Sequence, residues 1–256
     1  MKITLLPSAV SASGIVPNQY LTTFLVNDRL AIDAGSLGLY LSPQDQAAVR
    51  HVFVSHSHLD HWASLPIFLV NVFDLAPTCP TLYASEDVLD MLRRDVFNGR
   101  VWPNFLEMSH EGRPFVKVQV IESGKAIDLE GLHITPVAVN HVVPTLGFIL
   151  EDATSAVVIA SDTAATTEIW QRAERVAKLK AVFLEATLPN NMAELAGVTR
   201  HLTPAGLIGE MRKLTRQPNF YAVHLSARNR DEVIAELRSH GLSNLHIAEF
   251  GKTYEF

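Results

Sequence analysis

One segment carries most of the structural information: His51-Val-Phe-Val-Ser-His56-Ser-His58-Leu-Asp60-His61. The apolar run at its start predicts a short strand, and the polar residues that follow predict a loop. Side chains two residues apart in an extended chain point the same way, so His56 and His58 can reach one ion. Asp60 and His61 follow where a helix begins and can turn toward a second ion. Imidazole and carboxylate without thiolate suit Zn²⁺, Mn²⁺ or Fe²⁺.

Three more ligand-type residues follow predicted strands. His141 follows the strand 132–139, Asp162 follows 156–160 and His224 follows 219–223. Binding residues collect at the downstream ends of such strands. Taken singly, each residue has a plainer interpretation, such as an exposed histidine or a capping aspartate. The alternative for the His56–His61 segment is a solvated loop with coincidental histidines. The four ligand types within six residues, with the three strand-end residues, favour a metal site.

Composition limits the class of protein. The chain has 256 residues, 48% of them hydrophobic and 19% charged, which fits one large globular domain or two small ones. A net charge of −6 disfavours non-specific binding to nucleic acid or membranes. Cys79 is the only cysteine, which excludes an intrachain disulfide and a thiolate zinc cluster. Pro7 interrupts the apolar N-terminal run, so we expect a first strand there, no signal peptide, and a cytoplasmic protein.

The chain begins with strands and continues with alternating strands and helices. This order predicts an α+β fold of two packed mixed sheets with helices on both outer faces. We expect a single domain that spans residues 1–256. Asn27-Asp28 predicts a hairpin turn. The segment 97–114 fits no regular pattern, and its Phe97, Trp102 and Phe105 either stack on a purine or hold the loop to the core. The other predicted strands are 22–26, 30–33, 51–54, 81–84, 116–121, 146–150 and 181–184, and the helices are 42–49, 63–74, 85–96, 166–177, 203–213 and 229–239.

The sequence resembles the metallo-β-lactamase superfamily over essentially its whole length. The Asp33-Ala-Gly35 turn, the His-x-His-x-Asp-His block and the three later ligand-type residues occur in the superfamily's order. The resemblance implies an αββα sandwich and two divalent ions, of which Zn²⁺ is favoured. Asp33 either orients a ligand or is only a turn residue, and both interpretations stay open. The implied ligands are His56, His58 and His141 for one ion, Asp60, His61 and His224 for the second, and Asp162 bridging them.

Later motifs resemble the phosphodiesterase branch. Glu185-Ala-Thr187 and His201-Leu-Thr203 are similar to segments of tRNA 3′-end-processing endonucleases. With Ser161-Asp-Thr-Ala-Ala-Thr166, they look closer still to class II cyclic-nucleotide phosphodiesterases. Trp62 and Pro66 depart from that class, and Ser161 stands where the class usually has glycine.

That resemblance implies hydrolysis of 3′,5′-cyclic nucleotides (cAMP or cGMP) to 5′-monophosphates by a hydroxide held between the ions. Asp60, His201 and Glu185 are the predicted catalytic residues. His201 would donate a proton to the leaving alkoxide or stabilise the phosphoryl group, and Glu185 would orient and charge His201. The plainer interpretation of His201 is a residue ahead of the helix that begins at Thr203-Pro204.

Three other functions stay open. A tRNA-processing endonuclease would use the same site but would need a basic surface, which a net charge of −6 disfavours. An ester or lactone hydrolase would have no use for Glu185 and His201. A non-enzymatic metal-binding or regulatory protein would have lost ligands, and here all seven positions are filled. We therefore expect a small-molecule phosphodiester substrate and no membrane partner, with a homodimer among the open oligomeric states.

Overall fold

Two seven-stranded mixed β-sheets carry the fold in the computed structural model, which describes residues 1–11, 14–40 and 42–256. Residue contacts divide the chain into two units. The N-terminal unit contains residues 2–121 and 250–255, and the C-terminal unit contains residues 122–249 with Met1 and Phe256. The prediction of a single domain stays a prediction.

The sheet of the N-terminal unit is parallel on one side and antiparallel on the other. Strand β6 (His51–Val54) is parallel to both of its neighbours. In spatial order the strands are β10 (Lys117–Val120), β7 (Thr81–Ala84), β6 (His51–Val54), β5 (Leu30–Ile32), β4 (Phe24–Val26), β1 (Lys2–Leu5) and β18 (Thr253–Glu255). Two hairpins are separate from it, β2 (Val10–Ser11) with β3 (Gly14–Ile15), and β8 (Ser109–His110) with β9 (Arg113–Pro114).

The sheet of the C-terminal unit begins with an antiparallel meander and continues with parallel strands. The order is β11 (Ile127–Leu129), β12 (Leu132–Val139), β13 (Thr145–Glu151), β14 (Ala156–Ile159), β15 (Leu179–Glu185), β16 (Asn219–Val223) and β17 (Leu245–Ile247). Because β13 is antiparallel to both β12 and β14, these two strands run the same way. The carboxyl ends of β12, β14, β15 and β16 therefore meet at one edge of the sheet.

Short helices connect the strands. The N-terminal unit contains α1 (Leu37–Tyr40), α2 (Pro43–Gln46), α3 (Leu65–Val72) and α4 (Glu86–Met91), and α4 continues into a π-helical turn, Leu92–Val96. The C-terminal unit contains α5 (Glu168–Glu174), α6 (Ala193–Thr199), α7 (Pro204–Met211) and α8 (Arg230–Ser239). The described residues also include two 3₁₀ turns, Leu59–His61 and Asn190–Met192. Among the described residues, no helix combines the length and apolarity needed to cross a membrane.

Local chemistry explains where several elements begin. Asn27 and Asp28 both have positive φ, at 48° and 58°, as the turn of the β4–β5 hairpin requires. The hydroxyl of Ser85 accepts the backbone N–H of Val88 and begins α4. Several helices end earlier than predicted because i to i+3 hydrogen bonds close their final turns, as from Val176 N to Ala173 O at 3.0 Å.

The segment 97–114 is held to the core of the N-terminal unit. Phe97 and Phe105 are buried, and the ring of Phe105 stacks on Phe115 with centroids 4.2 Å apart. Trp102 packs edge-on against Phe105. The first half lacks regular structure, and the β8–β9 hairpin forms the second. Of the two interpretations of these aromatic residues, burial favours attachment of the loop over stacking on a base.

Candidate metal centre

The loop after β6 brings four predicted ligands together in the N-terminal unit. The ring centroid of His56 lies 4.7 Å from that of His58 and 4.1 Å from that of His61. His61 Nε2 lies 3.4 Å from the Asp60 carboxylate. His56 and His61 are fully buried, whereas the Asp60 side chain is 35% exposed. The segment therefore forms a cluster with a buried floor and an accessible carboxylate.

The Asp33 carboxylate orients the rings of this cluster. It accepts hydrogen bonds from His61 Nδ1 at 2.7 Å and from the Ser55 backbone N–H at 2.8 Å. It also accepts the Ser55 hydroxyl at 3.0 Å, which leaves the Ser55 oxygen to accept His56 Nδ1–H at 2.9 Å. Asp33 itself has a φ of 63°. Both sequence interpretations therefore apply, since Asp33 forms the turn and also orients a histidine.

Backbone hydrogen bonds hold the same loop in place. The N–H of Ala34 donates to His61 O at 2.7 Å, and the N–H of Thr22 donates to Asp60 O at 2.8 Å. Gly35 N donates to Thr22 O at 2.9 Å. The Asp33-Ala34-Gly35 turn thus fixes the backbone that carries Asp60 and His61.

The C-terminal unit gathers the other three predicted ligands at one sheet edge. His141 follows β12, Asp162 follows β14 and His224 follows β16. His224 Nε2 lies 3.5 Å from the Asp162 carboxylate. His201 lies between the two other histidines, with ring centroids 5.0 Å from His141 and 5.6 Å from His224.

Each predicted histidine ligand at this edge has a fixed ring orientation. His141 Nδ1 donates to the backbone carbonyl of Arg200 at 3.0 Å. His224 Nδ1 contacts the Thr187 hydroxyl at 3.0 Å. With Nδ1 bound in this way, Nε2 is the nitrogen that a metal ion would bind. The donor set of both units, imidazole Nε2 with carboxylate oxygens, fits a divalent transition metal.

Glu185, at the end of β15, is fully buried and accepts four hydrogen bonds. One carboxylate oxygen accepts Thr163 N at 2.7 Å and His201 Nδ1 at 2.8 Å. The other accepts Leu202 N at 3.0 Å and the Thr187 hydroxyl at 2.5 Å. These four donors satisfy both oxygens of the buried carboxylate, which lies beside His201. The structure therefore brings the predicted Glu185–His201 pair together.

The pair changes the protonation of His201. Burial in itself lowers the pKa of His201, but the hydrogen bond and charge of Glu185, aided by the charge of Asp162, outweigh it. The pKa of His201 consequently lies above its ordinary value. The Glu185 contact therefore favours the protonated form of His201.

Strained backbone is concentrated around these residues. Eight non-glycine residues in the described chain have positive φ, and four of them belong to the two clusters: Asp33 (63°), Ser161 (55°), Arg200 (52°) and His224 (54°). Each such residue costs of the order of 1–3 kcal/mol, so the surrounding structure must impose it. The positive φ of Ser161 is one that glycine adopts without this cost, which accounts for the glycine expected here from the resemblance to class II phosphodiesterases.

Sequence reasoning missed the residues that support the ligands. The Arg200 guanidinium donates to His141 O at 2.7 Å. The backbone carbonyl of Arg200 also accepts the hydrogen bond from His141 Nδ1. Asn140 N donates to the Thr163 hydroxyl at 3.1 Å, and Asn140 O accepts Ala164 N at 2.7 Å. The only available signal was that Asn140 adjoins a predicted ligand and Arg200 adjoins His201 in the sequence.

Comparisons with known proteins agree with this geometry. The family model described as a β-lactamase superfamily domain matches residues 31–225, which is most of the chain. The chain belongs to the metallo-β-lactamase superfamily. Its recognition from the sequence is confirmed, and so is the prediction of a metal-dependent hydrolase.

Individual relatives of this superfamily member span much of its length. It is 27% identical over 252 residues to the "Probable 3′,5′-cyclic-nucleotide phosphodiesterase" of Yersinia pestis, covering 80% of this chain and 71% of that protein. The structure of unliganded yeast PDE1 matches with a TM-score of 0.77 at 17% identity, over 98% of each chain. The short form of human tRNase Z matches with a TM-score of 0.69 at 15% identity, over 100% of this chain and 99% of that one. The two solved structures confirm the predicted fold class.

Proposed function

We propose that this protein is a binuclear metal-dependent phosphodiesterase that hydrolyses 3′,5′-cyclic nucleotides, cAMP or cGMP, to 5′-monophosphates. The observation that carries the proposal is the buried Glu185 bound to His201 beside two predicted ligands, Asp162 and His224. A phosphodiester releases a poor alkoxide leaving group, which needs a proton donor of this kind. The name of the Yersinia pestis relative supports the same activity.

The proposed ligands form two sets that share one carboxylate. By the ligand order of the superfamily, one ion would bind His56, His58 and His141, the second would bind Asp60, His61 and His224, and Asp162 would bind both. The donor types favour Zn²⁺, with Mn²⁺ and Fe²⁺ as alternatives. When bound, the ions would lower the pKa of water and offset the charge of the phosphoryl oxygens.

The chain's own residues supply the proton chemistry. His201 Nδ1 is bound to Glu185, so Nε2 carries the proton that His201 transfers to the leaving 3′ oxygen. Glu185 keeps the imidazolium charged and fixes its orientation. Asp60, whose carboxylate is partly exposed, would hold an ion and orient the attacking water by accepting its hydrogen bond.

Endonucleolytic processing of tRNA 3′ ends is the second candidate. It is favoured by the match to human tRNase Z over the whole chain and by the His201-Leu-Thr203 segment. The net charge of −6 disfavours it, because phosphate-rich RNA requires cationic contacts. A small phosphodiester substrate therefore fits better. An ester or lactone substrate would leave the Glu185–His201 pair without a role.

Metal content and turnover test the proposal together. Wild-type protein supplied with Zn²⁺ or Mn²⁺ should contain two ions per chain and hydrolyse cAMP or cGMP. Asp162→Ala should lose both metal and activity because it removes the shared ligand, whereas Asp128→Ala, an exposed carboxylate of the same unit, should retain both. If Asp162→Ala kept two ions and full turnover, the ligand assignment would be wrong. Activity toward bis(p-nitrophenyl) phosphate alone would redirect the search to RNA or other diesters.

The role of His201 has a separate test. His201→Ala should keep its metal and lower kcat for cAMP by about 10²–10⁴-fold. The loss should be much smaller with bis(p-nitrophenyl) phosphate, since nitrophenolate leaves without protonation. Equal losses on both substrates would exclude proton donation to the leaving group, and an unchanged kcat would remove His201 from the mechanism.

A further inference from the structure

Tyr20 stands out from the other aromatic residues. In the part of the chain that the structure describes, it is the one aromatic side chain that is largely exposed, at 57%. Tyrosine is enriched at binding interfaces, because its ring is apolar and its hydroxyl is polar. Tyr20 lies in the loop that leads into Thr22 and β4, within the N-terminal unit.

The backbone of this loop is held firmly although the ring is exposed. The Ser8 hydroxyl oxygen accepts the N–H groups of Tyr20 at 2.9 Å and Leu21 at 3.0 Å, and the same hydroxyl donates to Leu21 O at 2.9 Å. Binding to a ring on this fixed backbone loses little conformational entropy, because a tyrosine has only two side-chain torsions.

The loop is joined directly to the metal-ligand segment. Two residues after Tyr20, the N–H of Thr22 donates to Asp60 O at 2.8 Å. Leu59, directly before Asp60, is itself 62% exposed. Two exposed apolar side chains, Tyr20 and Leu59, therefore lie on neighbouring backbone segments beside a predicted ligand. We call them the Tyr20–Leu59 surface.

We propose that the Tyr20–Leu59 surface binds the base of the nucleotide substrate, with the base stacked on the Tyr20 ring. This inference rests on the proposed function. Ligands for the phosphate's ions lie on the same loop, and the base is the planar, uncharged part of the substrate that an aromatic ring recognises. Stacking accepts any base, because every base has a π-face. The surface should therefore strengthen binding while discriminating weakly between adenine and guanine.

Steady-state kinetics of Tyr20→Ala test the inference. KM for cAMP should rise about tenfold with kcat within twofold, as expected for an interaction equal in ground and transition states. A methyl riboside 3′,5′-cyclic phosphate, which lacks a base, should be hydrolysed equally by the variant and the wild type. Tyr20→Phe should restore the KM, and Val101→Ala, an exposed apolar control in the same unit, should not change it. An unchanged KM for cAMP, or an equal rise for the baseless substrate, would overturn the inference.

A binding experiment separates this inference from the proposed reaction. If wild-type protein hydrolyses no cyclic nucleotide, the proposed function fails, and calorimetric titration of the metal-loaded protein with 5′-AMP still tests the surface. Binding that weakens about tenfold in Tyr20→Ala would support it, whereas equal binding or none would overturn it. Conversion of a dimer to a monomer by Tyr20→Ala with KM unchanged would assign the surface to self-association instead.

Discussion

Four histidines of the two clusters are hydrogen-bonded through the same ring nitrogen. The Nδ1 atoms of His56, His61, His141 and His224 contact a serine hydroxyl, a carboxylate, a backbone carbonyl and a threonine hydroxyl, respectively. Such partners select the tautomer that presents Nε2 and fix the plane of each ring. His201 Nδ1, like that of His61, contacts a buried carboxylate, here Glu185. Burial lowers the pKa of His201, but the hydrogen bond and charge of Glu185 outweigh this effect and raise that pKa, which supports its proposed role as a proton donor.

Ser161 offers a test of backbone strain beside a ligand. Its φ of 55° costs a non-glycine residue of the order of 1–2 kcal/mol, and its buried hydroxyl has no hydrogen-bond partner among the described residues. Ser161→Gly should relieve both costs, partly offset by the greater entropy of unfolded glycine. We expect a net gain of about 1 kcal/mol in the free energy of unfolding, measured by urea denaturation.

Ser161→Ala is the matched control for this prediction. It removes the hydroxyl but keeps a side chain at positive φ, so it isolates the contribution of the backbone. The glycine variant should be the more stable of the two. A glycine variant less stable than wild type would show that the Ser161 hydroxyl makes a stabilising contact.

At the scale of elements, the strands that end at a predicted ligand were predictable from the sequence, and short connecting elements were not. The buried run of β6 and the turn residues of the β4–β5 hairpin give strong local signals. By contrast, α6 buries only Ala196, so it has no apolar periodicity to detect. The edge strands β17 and β18 have three residues each, too few to show an alternating pattern. The left-handed conformation of Arg200 or His224 depends on tertiary contacts that no local pattern reports.

Two backbone segments pass so close to position 35 that only glycine fits there. A Cβ there would overlap Asp60 O and would lie 2.7 Å from Thr22 N and 2.8 Å from Thr22 O. All three are backbone atoms that cannot rotate away. Gly35→Ala should therefore displace the loop that carries Asp60 and His61. We expect a loss of about 3 kcal/mol in stability together with reduced metal content, measured by thermal unfolding and elemental analysis.

Gly209→Ala provides the comparison for this prediction. Gly209 lies in α7, and an added Cβ there would meet nothing within 4 Å. Alanine favours helix, so this variant should gain up to about 1 kcal/mol and keep its metal. Equal stability of Gly35→Ala and wild type would show that the Gly35 turn and the ligand loop can separate at little cost.

At the scale of the whole molecule, the proposed ligands are distributed over both units. His56, His58, Asp60 and His61 belong to the N-terminal unit, and the other three belong to the C-terminal unit. An ion that binds the folded chain and not the unfolded one stabilises it by mass action, by about 4 kcal/mol at a thousandfold excess over Kd. Metal removal should therefore lower the melting temperature of the entire protein.

We expect chelation with EDTA to lower the Tm by about 10 °C, because each kcal/mol shifts the Tm of a chain this long by about 2–4 °C. Added Zn²⁺ should restore the Tm, whereas Mg²⁺ should not, since imidazole ligands suit transition metals. Asp162→Ala, which lacks the shared ligand, should melt at a similar temperature with and without EDTA. Differential scanning calorimetry measures these shifts. A wild-type Tm insensitive to EDTA, despite complete metal loss by elemental analysis, would mean that the ligand clusters are equally stable without their ions. The buried hydrogen bonds of Asp33 and Glu185 would then be sufficient to hold them.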